Sequence, residues 1–216
     1  IRKEGHSPLH MDALLFGQSS LLEKEFHDEY PAALQSAYRF LAVKYGLRAV
    51  SPPPVFLRMR PISFPTVRIG QLAEVLRQYK YLFSAIMEEE QQVTVRSIFD
   101  QKAGDYWDRH YVFDELSSYL PKYPGQGLLN GILLNAVIPV LFAYGHVNRI
   151  PALKERALRW MYELPAEKNR IVGEFLRHGI VNARASDSQA LLQLHKEYCC
   201  RKRCLDCAIG AKVIGG

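Results

Sequence analysis

The chain has 216 residues, of which 48% are hydrophobic and 23% charged, and its formal net charge is +6. These proportions are ordinary for a globular domain, and they exclude a disordered chain, a collagen-like repeat and a disulfide-stapled miniprotein. A chain of this length buries about 70% of the surface that it exposes when unfolded, so we expect a hydrophobic core.

Two features of the sequence bear on location. The residues after Ile1 do not show the basic stretch followed by an apolar stretch that is typical of a signal peptide. All four cysteines lie between Cys199 and Cys207, too close in sequence for disulfides to crosslink distant parts of the fold. We therefore expect no secretory signal and a cytoplasmic, reducing compartment.

The first predicted helix covers about residues 28–45. Acids and a proline favour its first turn, apolar side chains then recur at spacings of four, three and four, and Gly46 closes it. The segment Ser51–Pro65 follows, and its five prolines remove amide donors, so we predict an extended connector on the surface. Thr66 can cap the next helix, for which we predict a core stripe of Ile69, Leu72, Ala73, Leu76 and Phe83.

Shorter helical pieces are predicted at Thr94–Gln101 and Asp105–Phe113, before the turn Pro121–Gly127, which is a candidate sub-boundary. The uncharged stretch Gly127–Gly145, which lies within the longest run without Asp, Glu, Lys or Arg, then predicts a buried core helix at about 128–144, kinked at Pro139. Two asparagines and this proline interrupt the run, so we expect no membrane span.

Three more helices are expected, from Pro151 to Leu164, from Ala166 to His178, and from Ser186 to Tyr198. No segment alternates with the period of a strand. The sequence thus predicts an all-α fold, a single irregular multi-helix domain over residues 1–216 around the buried apolar helix.

Positive charge is unevenly distributed. No Asp or Glu occurs between Pro31 and Ala73, while six basic residues do. Such segregation is typical of a surface that attracts phosphates, although a solvated face or arginines paired inside the fold explain it equally well. The predicted polyanion-binding residues are Arg58, Arg60, Arg68, Arg201, Lys202 and Arg203.

The cysteine cluster is the candidate metal site. Cys204 and Cys207 form a C-x2-C pair, and Cys199 lies four intervening residues before Cys204, spacings that occur among zinc and iron–sulfur ligands. Cys200 or His195 could supply a fourth ligand. In a continuous helix, however, Cys200, Cys204 and Cys207 would form one apolar stripe, and reduced cysteines of that kind usually pack in the core.

Among the remaining motifs, Asp105–Asp114 concentrates aromatic residues around His110, which could carry a proton beside Asp108 or Asp114. Ordinary aromatic packing explains the same pattern. Phosphate-binding loops and common hydrolase motifs are missing from the sequence.

Three stretches together carry a family resemblance: Leu14–Glu23, Leu57–Ala73 and Asp187–Gly210. On these residues the chain resembles the bacterial domain-of-unknown-function family 2851. The resemblance implies that the chain is the C-terminal part of a longer protein, with a separate N-terminal domain as a partner. It also implies cysteines at 199, 204 and 207, so the helix must break after Cys199 if the three thiols are to converge.

Three functions remain open at this point. The first is a non-catalytic helical module that binds nucleic acid or another polyanion through its basic face. The second is a structural or protein-interaction domain whose arginines pack internally and whose cysteine cluster is a structural metal or packing site. The third is a metal-dependent enzyme centred on Cys199, Cys204 and Cys207, with zinc or an iron–sulfur cluster as the cofactor.

Overall fold

A computed structural model describes residues 7–214. Within this range all regular secondary structure is helical, and two isolated bridges join His110 to Leu116 and Pro165 to Arg184. The all-α prediction is confirmed. The chain divides into two compact units, Ile1–Leu129 and Asn130–Gly216.

Over the residues that the structure describes, the first unit contains five complete helices and two short 3-10 turns. The helices are α1 (Pro8–Gln18), α2 (Glu29–Tyr45), α3 (Pro65–Gln78), α4 (Leu82–Glu88) and α5 (Gln92–Phe99), and the turns are Pro61–Ser63 and Asp105–Asp108. The helix predicted over 28–45 is α2, and Gly46 ends it in the left-handed conformation with φ of 61°.

Aromatic packing between helices and the 105–113 segment forms the core of the first unit. Phe16 of α1 stacks on Trp107 with ring centroids 5.4 Å apart, and Phe113 meets Phe16 edge-on at 5.2 Å. Gly70 of α3 faces the same indole, and a Cβ there would lie 2.8 Å from Trp107 Nε1. A glycine at this position therefore lets α3 approach the core closely.

Two predictions about the first unit were wrong in part. The stripe predicted from Ile69 to Phe83 does not lie on one helix, because α3 ends at Gln78. Leu72 is 42% exposed and Phe83 is 46% exposed, whereas Ala73 is buried. Within Asp105–Phe113 only Asp105–Asp108 is helical, as one 3-10 turn, and Trp107 and Phe113 are both buried.

The apolar segment forms one helical run with a change of winding inside it. Helix α6 (Gln126–Ile132) leads into a π-helical turn (Leu133–Val137) and then into α7 (Ile138–Val147). The π-turn lies just before Pro139, which cannot donate a hydrogen bond to the carbonyl of Asn135. The predicted disturbance at Pro139 thus takes the form of a π-turn.

This helical run is not enclosed on every side. Leu133, Leu141 and their neighbours on one face are buried, whereas Val140 is 51% exposed and Val147 is 77% exposed. We expected a helix buried all round, but only one face finds partners within the described residues. By length and composition alone, the helical run Gln126–Val147 is also long and apolar enough to cross a membrane. A single helix of this kind is weak evidence for a membrane span, because the core helix of a soluble protein passes the same test.

In the described residues, the second unit continues after α7 with α8 (Pro151–Glu163), α9 (Arg170–Arg177), α10 (Ala185–Leu194) and α11 (Ala208–Ile214). A π-helical turn at His195–Cys199 follows α10 directly. Helices α7 and α8 form a close hairpin, because Gly145 leaves room for Leu153: a Cβ at residue 145 would lie 2.8 Å from the Leu153 Cβ. Trp160 of α8 and Val172 of α9 are fully buried.

Candidate polyanion-binding site

The basic segment is the connector Ser51–Pro65, which carries Arg58 and Arg60. It begins just after the chain has left α2 and returned to the end of α1. The amide of Val50 donates to the carbonyl of Gln18 at 2.8 Å, and the Ser20 hydroxyl donates to the carbonyl of Val50 at 2.6 Å. The prolines that follow have no amide N–H to donate, so the segment continues along the surface without the regular backbone hydrogen bonds of a strand. The predicted extended connector is confirmed in this form, apart from its short 3-10 turn.

Arg58 and Arg60 lie on this segment and are both exposed. Neither side chain makes a hydrogen bond or an ion pair to another residue between 7 and 214. Arg58 has a positive φ of 58°, a backbone conformation that is sterically unfavourable for residues other than glycine. Both guanidinium groups are thus free to meet an anion from solvent.

Arg68 is placed differently from its two neighbours. Its guanidinium donates to Gln71 Oε1 at 2.9 Å and to the Ser63 hydroxyl at 3.2 Å. Burial lowers the pKa of Arg68. Gln71 in turn donates to the carbonyl of Lys122 at 2.9 Å, so Arg68 ties α3 to the basic segment instead of facing solvent.

The second predicted basic cluster lies in the other unit and is largely paired. Arg201 contacts Glu197 at 2.9 Å, and Arg203 contacts Asp206 at the same distance. Lys202 is exposed. Of the six predicted polyanion-binding residues, Arg58, Arg60 and Lys202 therefore remain without a side-chain hydrogen bond or ion pair in the described part of the chain.

A pocket lies directly beside the basic segment. Its volume is about 390 Å³, which is in the range of small-ligand sites. Three stretches and Thr66 of α3 surround it, namely Ser20–Lys24, Pro53–Phe56 and Val112–Glu115. No sequence pattern indicates this pocket, because its walls come from segments that are far apart along the chain.

The cysteine cluster follows a break in the helix. The π-helical turn ends at Cys199, Lys202 has a left-handed φ of 54°, and the amide of Arg203 donates to the carbonyl of Tyr198 at 2.9 Å. The continuous helix that would align Cys200, Cys204 and Cys207 is therefore not formed. The break after Cys199 that the family resemblance required is present.

The thiols themselves are free. Cys199, Cys200 and Cys204 are exposed and Cys207 is buried. Burial raises the pKa of the Cys199 thiol, and the nearby thiols of Cys207, Cys204 and Cys200 raise it further. Cys200 Sγ lies 3.4 Å from His195 Nδ1.

Proximity of the thiols does not by itself make a metal centre. Among residues 7–214, no three Cys, His, Asp or Glu side chains are grouped so that they could hold a metal ion. The metal site at Cys199, Cys204 and Cys207 stays a prediction.

His110 has a different carboxylate partner from those expected. Its Nε2 lies 3.5 Å from Asp28 Oδ2, and its Nδ1 lies 2.7 Å from the carbonyl oxygen of Tyr106. The Tyr106 hydroxyl donates to the same Asp28 oxygen at 2.6 Å. Asp114 instead accepts from the amides of His27 and Asp28, at the start of α2.

Sequence reasoning missed a buried polar cluster in the first unit. Asp12 of α1 accepts from the Tyr30 hydroxyl at 2.8 Å and lies 3.5 Å from Arg77, which also pairs with Glu74. Burial raises the pKa of Asp12, against the opposing effects of Arg77 and Tyr30. No motif could have revealed it, because its four members lie on three helices.

Comparison with known proteins gives a family and no activity. No curated protein and no solved structure matches the chain. The model of the family described as "protein of unknown function" (DUF2851) matches residues 1–170, and the match ends before the cysteine cluster. The chain therefore belongs to the DUF2851 family.

Proposed function

We propose that the first unit of this chain binds a polyanion, and more narrowly a nucleic acid, through the segment that carries Arg58 and Arg60. The observation that carries the proposal is the exposure of these two guanidinium groups without a carboxylate partner in the described residues. Guanidinium groups match phosphate geometry and are weakly hydrated, so they bind phosphates well at a surface.

The charge around the two arginines also supports the proposal. The 43 positions from Pro31 to Ala73 hold no acidic residue, so carboxylates near the two arginines can come only from other stretches, such as Glu23 and Glu115 of the adjacent pocket. Arg39, Lys44 and Arg48 of the same stretch are exposed as well. A basic surface of this kind raises the local concentration of a polyanion and speeds its association.

The test is a binding titration with a matched control. Fluorescence anisotropy would follow labelled single-stranded DNA, duplex DNA and heparin at low salt. Arg58→Ala/Arg60→Ala should weaken binding at least about tenfold, which is about 1.4 kcal/mol. The control Arg170→Ala/Arg177→Ala removes the same charge from residues that lie near Glu174 at 3.8 Å, and it should change affinity little.

Two outcomes would contradict the proposal. The first is no binding of any of these polyanions by the unaltered protein at low salt. The second is an equal loss in both double variants, which would mean that net charge alone and no particular surface governs binding.

A second candidate function is a protein-interaction domain. The exposed apolar side of the run from Gln126 to Val147 favours it, since large exposed apolar surfaces commonly mark interfaces. An interaction domain would show no affinity for polyanions at low salt, so the titration above separates the two candidates.

The third function, a metal-dependent enzyme, depends on the cysteine cluster. Its test is the metal-to-protein ratio, by mass spectrometry, of protein purified without oxygen or chelator. Bound zinc or iron would support the metal prediction, whereas metal-free, colourless protein would contradict both the metal site and the enzyme.

A further inference from the structure

The pocket beside the basic segment has walls and a rim of different chemistry. Its walls are apolar and include Leu21, Pro53, Pro54, Phe56 and Phe113. Glu23, Lys24 and Glu115 also line it and are exposed, so they lie at the rim. A flat apolar ligand with polar edges suits such a site.

The remaining polar groups of the pocket are already occupied. The hydroxyl of Thr66 donates to the carbonyl of Tyr111, and that of Ser20 donates to the carbonyl of Val50. Recognition of a ligand's polar edge therefore falls to two carboxylates, Glu23 and Glu115, and one ammonium, Lys24.

The basic segment and the pocket are continuous. Arg58 follows Phe56 by two positions, so the exposed guanidinium groups belong to the same stretch of chain as one wall of the pocket. Phe56 is held by Phe64, whose ring meets it edge-on at 5.1 Å. Packing against Phe64 therefore holds the Phe56 side chain in place in the absence of a ligand.

We propose that this pocket receives one unstacked base of a single-stranded nucleic acid while Arg58 and Arg60 contact its phosphates; the inference rests on the proposed function. Every base has a π-face that can pack on an aromatic side chain such as Phe56. In a duplex that face is covered by the neighbouring base pairs, so a single strand binds more tightly than a duplex of the same sequence.

The two carboxylates also select among bases. Ionised carboxylates only accept hydrogen bonds. Guanine offers adjacent imino and amino donors, which can both donate to one carboxylate, whereas thymine offers one imino donor flanked by two carbonyl oxygens that repel a carboxylate. A single strand with guanines in a thymine background should therefore bind more tightly than an all-thymine strand.

The experiment compares ligands with and without bases. Phe56→Ala should weaken binding of the guanine-containing strand roughly 5- to 100-fold, because stacking on one base is lost. It should leave heparin, which has no bases, unchanged. Leu57→Ala is the matched control, since Leu57 is exposed on the same segment and does not line the pocket.

A second variant guards against a loss of local folding in Phe56→Ala. Glu115→Gln changes one exposed carboxylate and should reduce the preference for guanine over thymine without weakening heparin binding. The circular dichroism spectrum of each variant reports its fold.

The outcomes separate this inference from the proposed function. If single strand and duplex bind equally and neither variant at Phe56 nor at Glu115 changes the affinity, the pocket inference is overturned while polyanion binding stands. If heparin and both forms of DNA fail to bind, the proposed function itself is wrong.

Discussion

At the scale of single residues, the most constrained group in the first unit is the carboxylate of Asp12. One of its oxygens, Oδ2, accepts from the Tyr30 hydroxyl, while Oδ1 is buried without a hydrogen-bond partner in the described residues. The burial of Tyr30 and the adjacent carboxylate together hold the pKa of Tyr30 well above its ordinary value. Tyr30 therefore stays a neutral donor to Asp12 throughout the physiological range.

Removing this donor should destabilise the protein. In Tyr30→Phe, Asp12 loses a hydrogen bond in a buried site, and the free energy of unfolding should fall by about 1–3 kcal/mol. Urea denaturation followed by circular dichroism measures this loss. Tyr123→Phe is the control, because Tyr123 is exposed, and it should change the free energy of unfolding by less than about 0.5 kcal/mol.

Arg68 and Arg58 illustrate why residue type alone did not identify the site. Both lie in the acid-free stretch 31–73. The Arg68 guanidinium donates hydrogen bonds to Gln71 and Ser63, whereas the Arg58 side chain has no partner among the described residues. Sequence composition assigns the two arginines the same charge. Only the positions of neighbouring acceptors separate a structural arginine from an available one.

At the scale of elements, the start of α10 depends on one carboxylate. Asp187 Oδ2 accepts from the amides of Ala183 at 2.9 Å and Arg184 at 3.0 Å, and these bonds hold the pKa of Asp187 below its ordinary value. An acid in the first turn of a helix is a common start signal.

The lowered pKa of Asp187 has a defined consequence for stability. An acid whose pKa is lower in the folded protein stabilises it above the unfolded-state pKa, and this contribution disappears as pH falls through the folded-state pKa. The difference in melting temperature between the unaltered protein and Asp187→Asn should therefore be largest near neutral pH and shrink between about pH 5 and pH 2.

Thermal unfolding across this range measures the effect, with Asp100→Asn as the matched control because the Asp100 carboxylate makes no described hydrogen bond. A difference for Asp187→Asn that stays constant with pH would show that the carboxylate does not act through its charge.

The apolar helix shows which features of an element can be predicted from its sequence. Pro139 predicted a disturbance in the apolar helix, and the disturbance is there, but as a π-turn over Leu133–Val137. Proline removes one donor, and this local fact can be read from sequence. How the lost bond is accommodated depends on which neighbouring side chains must stay in the core.

At the scale of the whole molecule, net charge is a weaker guide than its distribution. Arg201 and Arg203 count toward the total of +6, yet both are paired with nearby carboxylates. The available positive groups near the pocket are Arg58, Arg60 and Lys24. Polyanion binding should therefore depend on salt as expected for about three phosphate contacts.

This expectation is quantitative. For a single strand, each phosphate contact contributes about −0.7 to the slope of log affinity against log salt concentration, so three contacts give about −2. Arg58→Ala/Arg60→Ala should reduce its magnitude by roughly 1.4. Anisotropy titrations at several salt concentrations measure the slope, and an unchanged slope in the double variant would exclude phosphate contacts by these residues.

The sequence by itself determined the helical class, the helix over 28–45 and the surface connector, because periodicity, proline and capping residues act within a few positions. Helices α1 and α11 were not predicted, and the break after Cys199 followed from the family resemblance. Only the tertiary structure decided which arginines are available, that Asp12 and Arg77 meet, and that three separate stretches enclose a pocket. These depend on contacts between residues far apart in the chain, and no local pattern encodes which distant group will neutralise a charge or close a wall.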